Sequence, residues 1–364
     1  MPPDVPSSVP PKMPRSAIHP LSSEQVREAV NARQVLSAHR EAREENRRLR
    51  GSMVWARQDG HEYLVHAYYN ARGDRKQRSL GRRDPETEHT KRAHDERKAA
   101  AADRLKGLSD RLRERAGVNR ALGLGRVPMP AARVIRRLDR AGLLGRGARI
   151  LGTVAIHAYE AAAGAYLDDG LMATGDVDIL LDSRRRLVLA LDEGFEPETL
   201  LDVIRKADRS YRRTERRYCA VNRDGYMVDL IMPLRDPPWT APPSSVGGDP
   251  DDLQASEIEG LVWHENARTF EATAIDTDGV PLRLVTSDPR DFAVHKLWLS
   301  ERPDRDAGKR DRDRLQAEAV AQLVTHRLPH MAFDPTAHRN LPRALVDRAG
   351  GLFEADGGAA DLDL

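Results

Sequence analysis

Two aspartates one residue apart, within Gly175-Asp176-Val177-Asp178-Ile179-Leu180-Leu181, constrain this chain more than any other feature. The run is apolar enough to be a β-strand. A strand's period of two then places Asp176 and Asp178 on one face, and Val177 and Ile179 on the other. Paired carboxylates repel, and aspartate is a poor strand former, so such a strand is costly unless a cation compensates it. A second apolar run, Tyr226-Met227-Val228-Asp229-Leu230-Ile231-Met232, carries one aspartate. An isolated carboxylate buried there would need a partner. Set beside the first strand, Asp229 completes a three-carboxylate cluster suited to magnesium, with manganese as an alternative. Such ions take hard oxygen ligands and keep positions open for phosphates and water. The plainer alternative is that these are surface carboxylates paired with arginines. It requires two separate strands to have acquired the unusual residue independently.

Upstream, Arg149-Ile150-Leu151-Gly152-Thr153 reads as a short strand turning into a helix. Glycine lets a phosphate approach the backbone, the helix N-terminus offers free N–H groups, and Thr153 adds a hydroxyl. The same pair is also an ordinary helix cap, and it becomes informative because an Asp-x-Asp strand follows. Lys296, on the amphipathic run 291–296, is either a phosphate ligand or the salt-bridge partner of Asp291. Residues 205–217 hold seven cations against Asp208 and Glu215, fit for a polyanion channel or for a solvated surface. His157 and His295 lack a second ligand at metal spacing and read as packed histidines. The single cysteine, Cys219, reads as a small buried hydrophobe and excludes an internal disulfide.

The remaining chain is organised around this block. The 59 Lys and Arg are nearly balanced by 57 Asp and Glu, so local clustering of charge, and not the net +2, bears on partners. No run approaches the roughly 20 apolar residues of a membrane span, and the N-terminus lacks a secretory h-region, which predicts a cytoplasmic protein. Residues 1–20 are Pro- and Ser-rich and read as a disordered tail. Ser22-Ser23-Glu24-Gln25 reads as a capping box opening a polar helix to about residue 49.

Residues 53–80 form an aromatic β-meander, with turns at Gln58-Asp59-Gly60 and Asn70-Ala71-Arg72-Gly73-Asp74. Its basic edge holds Arg72, Arg75, Lys76 and Arg78, a grip for nucleic acid or merely a guarded sheet edge. A long charged helix (85–115) and an amphipathic one (131–141) connect it to the core at 148–240. Within that core, a helix is expected at 198–207, and Asn222-Arg223-Asp224-Gly225 predicts a type I′ hairpin. A Pro-rich linker (237–252) follows, then a hairpin around Thr277-Asp278-Gly279 and helices at 289–300 and 309–324. Residues 331–364 read as a tail, and no internal repeat is present.

On these residues the chain resembles the nucleotidyltransferase superfamily of the DNA-polymerase-β type, marked by a Gly-Ser-like turn, an Asp-x-Asp strand and a later carboxylate. Within it, the chain is similar to bacterial proteins of the GSU2403-like group. The shared features are the meander ending at Ser79-Leu80-Gly81, the blocks 152–181 and 225–233, and the run 288–296. The likeness to AbiEii-type toxins is looser and rests on the Gly-Thr turn, the Asp-x-Asp strand and a later lysine. The resemblance implies an α+β fold: a mixed sheet with helices on one face, a peripheral meander and a helical C-terminal part. It also implies transfer of a nucleoside monophosphate from a nucleoside triphosphate to a hydroxyl on an RNA end or a protein, in a toxin or defence setting. Asp176, Asp178 and Asp229 would be catalytic and metal-holding, with Gly152, Thr153 and Lys296 on the nucleotide. Lys309 and Asp313 fall on a second charged motif. The departures are Thr153 in place of serine and a long 152–176 spacing, whose residues 164–172 are expected to form an extra loop over the site. The alternative is a nucleic-acid- or protein-binding module using the fold without catalysis.

Overall fold

The computed structural model describes residues 18–69, 74–182, 199–235 and 251–354. Residues 1–17, the Asn70–Gly73 turn with Arg72, most of the Pro-rich linker and the last ten residues lie outside them.

A short strand β1 (Ile18–Pro20) leads into α1 (Ser23–Arg48), whose start carries the expected capping box: Ser22 and Gln25 exchange side-chain and backbone bonds. Then come β2 (Ser52–Gln58), β3 (His61–Tyr69) and β4 (Arg75–Arg82), an antiparallel meander in that order. Both Asp59 and Gly60 have positive φ, as a type I′ turn between β2 and β3 requires. Asp84 caps α2 (Pro85–Ala121), which pairs antiparallel with α1 through Arg115–Glu28 (2.6 Å) and Arg104–Glu45 (2.9 Å). Helix α3 (Met129–Arg140) buries Val134, Ile135 and Leu138 against the core.

The central sheet begins with β5 (Ala148–Leu151), followed by α4 (Gly152–Ala163), β6 (Ala165–Leu167), α5 (Asp169–Met172) and β7 (Asp176–Leu181). After α6 (Leu200–Arg205) come β8 (Arg212–Arg213), β9 (Cys219–Val221), β10 (Met227–Pro233) and β11 (Ser256–Ile258). The strand order is β5-β7-β10-β9-β8, with β11 on the far half of β10. Strand β10 is parallel to β7 and β11 but antiparallel to β9, so the sheet is mixed. Helix α4 is buried nearly all round, the signature of a helix inside the core and not on its surface. Val177, Ile179, Val228 and Leu230 join it in the main core, on the face opposite the aspartates.

The rest comprises α7 (Leu261–Asn266), the hairpin β12 (Thr269–Ile275) with β13 (Pro281–Ser287), α8 (Pro289–Glu301), α9 (Ala307–Arg327) and α10 (Arg343–Ala349). Three sequence expectations are corrected. The β9–β10 turn is not type I′, because neither Arg223 nor Asp224 has positive φ and only Gly225 does. Asn222 pairs with Tyr226 around a three-residue loop, and the Asn222 Oδ1 accepts from Asp224 and Tyr226 N–H, giving a type I turn with a glycine bulge. Residues 164–172 are not a loose loop: β6 pairs with β1, while α5 buries Leu171 and Met172. The part of the expected tail up to residue 354 is folded, since α10 buries Leu345 and Val346 with Val294 of α8.

Candidate active site

Register brings the carboxylates together. In the parallel pair β7–β10, Asp178 stands opposite Asp229, and Met227 opposite Asp176, so all three aspartates share one face. Strand β5 flanks β7 on the other side with Leu151 opposite Asp178, which sets the Gly152-Thr153 turn against that carboxylate. Gly152 has φ +64°, and a Cβ there would overlap Asp178 Oδ2. Both the backbone conformation and the close approach therefore demand glycine. Thr153 follows at the start of α4, buried, its hydroxyl accepting a bond from Gln316 Nε2 at 3.1 Å.

Burial, followed by the charges of Asp176 and Asp229, pushes the Asp178 carboxyl up to about 7; Lys296 and Arg305 oppose the shift. Asp229 is raised by burial and by Asp176, against a hydrogen bond from Cys219 and the charges of Arg216 and Lys309. Its Oδ1 is buried without a hydrogen-bond partner. Thr174 Oγ1 donates to Asp176 Oδ1, and Tyr226 OH to the Asp176 carbonyl at 2.8 Å, fixing the start of the strand. Among the described residues, no three His, Cys, Asp or Glu side chains draw together closely enough to hold a metal by themselves. The three aspartates form an open acidic face, not a closed cage.

Lys296 is buried on α8, and its partner is Asp313 of α9 at 2.6 Å, not Asp291. Asp291 instead meets His338 Nδ1 at 2.5 Å and Asn340 Nδ2 at 3.1 Å. Arg305 takes the second oxygen of the fully buried Asp313 at 2.8 Å. Burial lowers the Lys296 pKa while Asp313 raises it. A buried lysine and a partly exposed arginine, held by one carboxylate, thus act on Asp178.

The two histidines do not contribute ligands. His157 Nδ1 contacts buried Glu160 at 2.9 Å, and Glu160 also binds Arg126 at 3.1 Å. His295 packs against His264 with ring centroids 4.4 Å apart. Burial keeps both neutral, His264 pushed down to about 3 and His295 well below its ordinary value.

Three participants were not singled out from sequence in these roles. Arg305 and Gln316 lacked a motif. Cys219 was read only as apolar, yet it stands opposite Asp229 in the β9–β10 pair; burial first, then Asp229, pushes its thiol up to about 12. Asp313 had a usable signal: it lies on the same stripe as Gln316, Ala317, Val320 and Val324, at the spacing of a buried helix face.

A model of a nucleotidyltransferase family matches residues 130–341, more than half of the chain and every residue of this site, and the chain belongs to that family. No curated protein and no solved structure matches it. Among the described residues, no helix is long and apolar enough to cross a membrane.

Proposed function

We propose that this chain is a divalent-cation-dependent enzyme that moves a nucleoside monophosphate from a nucleoside triphosphate to a hydroxyl acceptor, with release of pyrophosphate. The observation that carries the reading is the Asp178–Asp229 register pair, with Gly152 pressed against Asp178. The donor set suits magnesium or manganese: hard oxygens on an open face, one of them buried and unpartnered, with room for phosphate and water to complete the shell. Asp176, Asp178 and Asp229 would hold the ion, which when bound offsets phosphate charge and polarises the α-phosphate.

The chain's own groups do the rest. The backbone at Gly152 and Thr153 receives phosphate oxygens without steric hindrance. Lys296, oriented by Asp313, adds positive charge on the Asp178 side where the triphosphate would lie. Asp229, whose Oδ1 has no hydrogen-bond partner, takes the proton of the acceptor hydroxyl. The acceptor oxygen bonds to the α-phosphorus, and the bond to the bridging α–β oxygen breaks. Its electron pair leaves with pyrophosphate. Positioning and charge supply most of the rate in such a reaction.

Arg216 and Lys309 are close enough to act on Asp229, and Arg209, Arg212 and Arg217 extend that positive charge over an exposed surface. An RNA end is therefore favoured over a protein hydroxyl as acceptor. The Gly152-Thr153 turn, the Asp-x-Asp strand and Lys296 support the looser kinship with AbiEii-type toxins.

The test is incubation with each α-labelled nucleoside triphosphate, magnesium, and bulk RNA and protein, beside an Asp176→Asn, Asp178→Asn variant. Label entering RNA with wild type alone is the expected result. Label entering protein would reassign the acceptor. No labelling by either enzyme, with no metal-dependent nucleotide binding, would overturn the reading.

A further inference from the structure

The meander β2-β3-β4 lies outside the catalytic block, and none of its side chains serves the site described above. One of its faces is taken. His66 meets His94 of α2 edge-on, with centroids 6.0 Å apart; Lys98 Nζ donates to the Gly51 carbonyl; and Arg83 lies over Trp55 at 4.9 Å. Leu64, on that same face by register with Trp55, is fully buried.

The opposite face is built differently. Register places Val54 with Val65 and Ser79, and Ala67 with Gln77, giving a shallow centre of small and hydrogen-bonding side chains. Tyr69, 73% exposed, pairs with Arg75 at one end, and Tyr63 with Arg82 at the other. Strand β4 is exposed along nearly its whole length.

Charge separates a binding face from a guarded edge. The three strands carry Arg57, Arg75, Lys76, Arg78 and Arg82 against one carboxylate, Glu62. Glu62 falls on the helix side and is already held by Arg83 at 2.8 Å. No strand residue on the open face is acidic; by register Arg75 and Arg82 lie on that face, whereas Lys76 and Arg78, paired with Tyr68 and His66, lie on the helix side. An edge guard accounts for a lysine or two and for the bulge at Leu64/Val65, which twists the edge away. It does not account for an open face that carries Arg75 and Arg82 and no carboxylate.

We propose that the open face of this meander binds duplex DNA in the major groove. Three strands spaced about 4.8 Å apart span roughly 10 Å, against a B-form major groove of roughly 12 Å. The shallow centre permits close approach, Gln77 and Ser79 can read base edges, and the terminal arginines reach phosphates on either side. The A-form major groove of duplex RNA is too narrow for such an insertion. The α1–α2 pair supports this placement. Helix α2, 37 residues and so about 55 Å long, holds the meander at one end. Its other end is anchored to the β12–β13 turn through Asn119 to the Gly279 carbonyl at 2.7 Å.

The experiment is fluorescence anisotropy of the full chain with a labelled mixed-sequence DNA duplex, and with single-stranded DNA and duplex RNA of equal length, without nucleotide or magnesium. The outcome is thus independent of catalysis. Wild type is expected to prefer duplex DNA at least fivefold, with affinity falling steeply in salt. An Arg75→Glu, Arg82→Glu variant, both positions exposed on the open face and its fold checked by circular dichroism, is expected to lose tenfold or more and show a flatter salt dependence. An Arg343→Glu, Arg348→Glu variant, exposed on α10 away from the meander, is expected to stay within twofold. Absence of duplex binding, preference for single strands or RNA, or loss on the second variant instead of the first would each overturn the proposal.

Discussion

In the stalk, α1 and α2 meet mostly through charges that stay in water, apart from Glu28, which is buried and held by Arg115 at 2.6 Å. Arg104 reaches Glu45 at 2.9 Å with both side chains about half exposed, and Arg47 meets Glu44 on the same helix. At the carboxylate face the charges have left water: Lys296 and Asp313 are buried together, and Asp178 is pressed between Asp229 and the Gly152 turn. Exposed pairs cost little and contribute roughly 0–1 kcal/mol. Burying charge is costly unless each group is matched. The stalk therefore uses charge for solubility and register, whereas the core tolerates a locally unfavourable arrangement, and that tolerance marks it as the working part.

The sharpest way to break this contrast is Asp178→Ala. It should lower nucleotidyl transfer by about 10³-fold or more, equivalent to roughly 4 kcal/mol of transition-state stabilisation, with the fold intact by circular dichroism. Next, Asp313→Ala strands Lys296 and Arg305 and should cost about 3–5 kcal/mol in urea denaturation. A Lys296→Met, Asp313→Leu double variant should regain most of that stability without regaining activity. Gly152→Ala must adopt a left-handed backbone and displace Asp178, for a loss of about 1–3 kcal/mol together with weakened nucleotide binding.

A subtler effect concerns pH. The Asp178 pKa rises on folding to about 7, so the folded state holds this proton more tightly than the unfolded chain. Its contribution to stability is complete below about pH 4 and is lost as pH rises through 7. In chelator, Asp178→Asn should thus gain on wild type between pH 5 and pH 8, by on the order of 1–3 kcal/mol in thermal or urea melts. An unchanged gap would show that Asp178 is not under electrostatic pressure. The smallest effect expected is Arg104→Ala in the stalk, within about 1 kcal/mol. A larger loss would erase the distinction between the two regions.

How much of this was legible beforehand follows from the range of the interactions. Capping at Ser22, the turn at Asp59-Gly60 and the period-two placement of Asp176 and Asp178 are local, and sequence shows them directly. The pairing of Asp229 with Asp178 needed only that two apolar strands be neighbours. The Lys296–Asp313 link spans two helices, so the nearer Asp291 was an equally good candidate partner on sequence grounds. The β9–β10 turn was misread because Asp224-Gly225 suits two loop lengths, and the Asn222 side chain selects the longer one. Cys219 looked apolar because its polar contact is with the adjacent strand.

The most direct test of the central claim is isothermal titration of a non-hydrolysable nucleoside triphosphate, with and without magnesium, into wild type and the Asp176→Asn, Asp178→Asn variant. Binding that requires magnesium in wild type, and is lost in the variant while its melting temperature holds or rises, is the predicted result. Magnesium-independent binding, or equal binding to both proteins, would contradict the assignment of the three aspartates to a metal–nucleotide site.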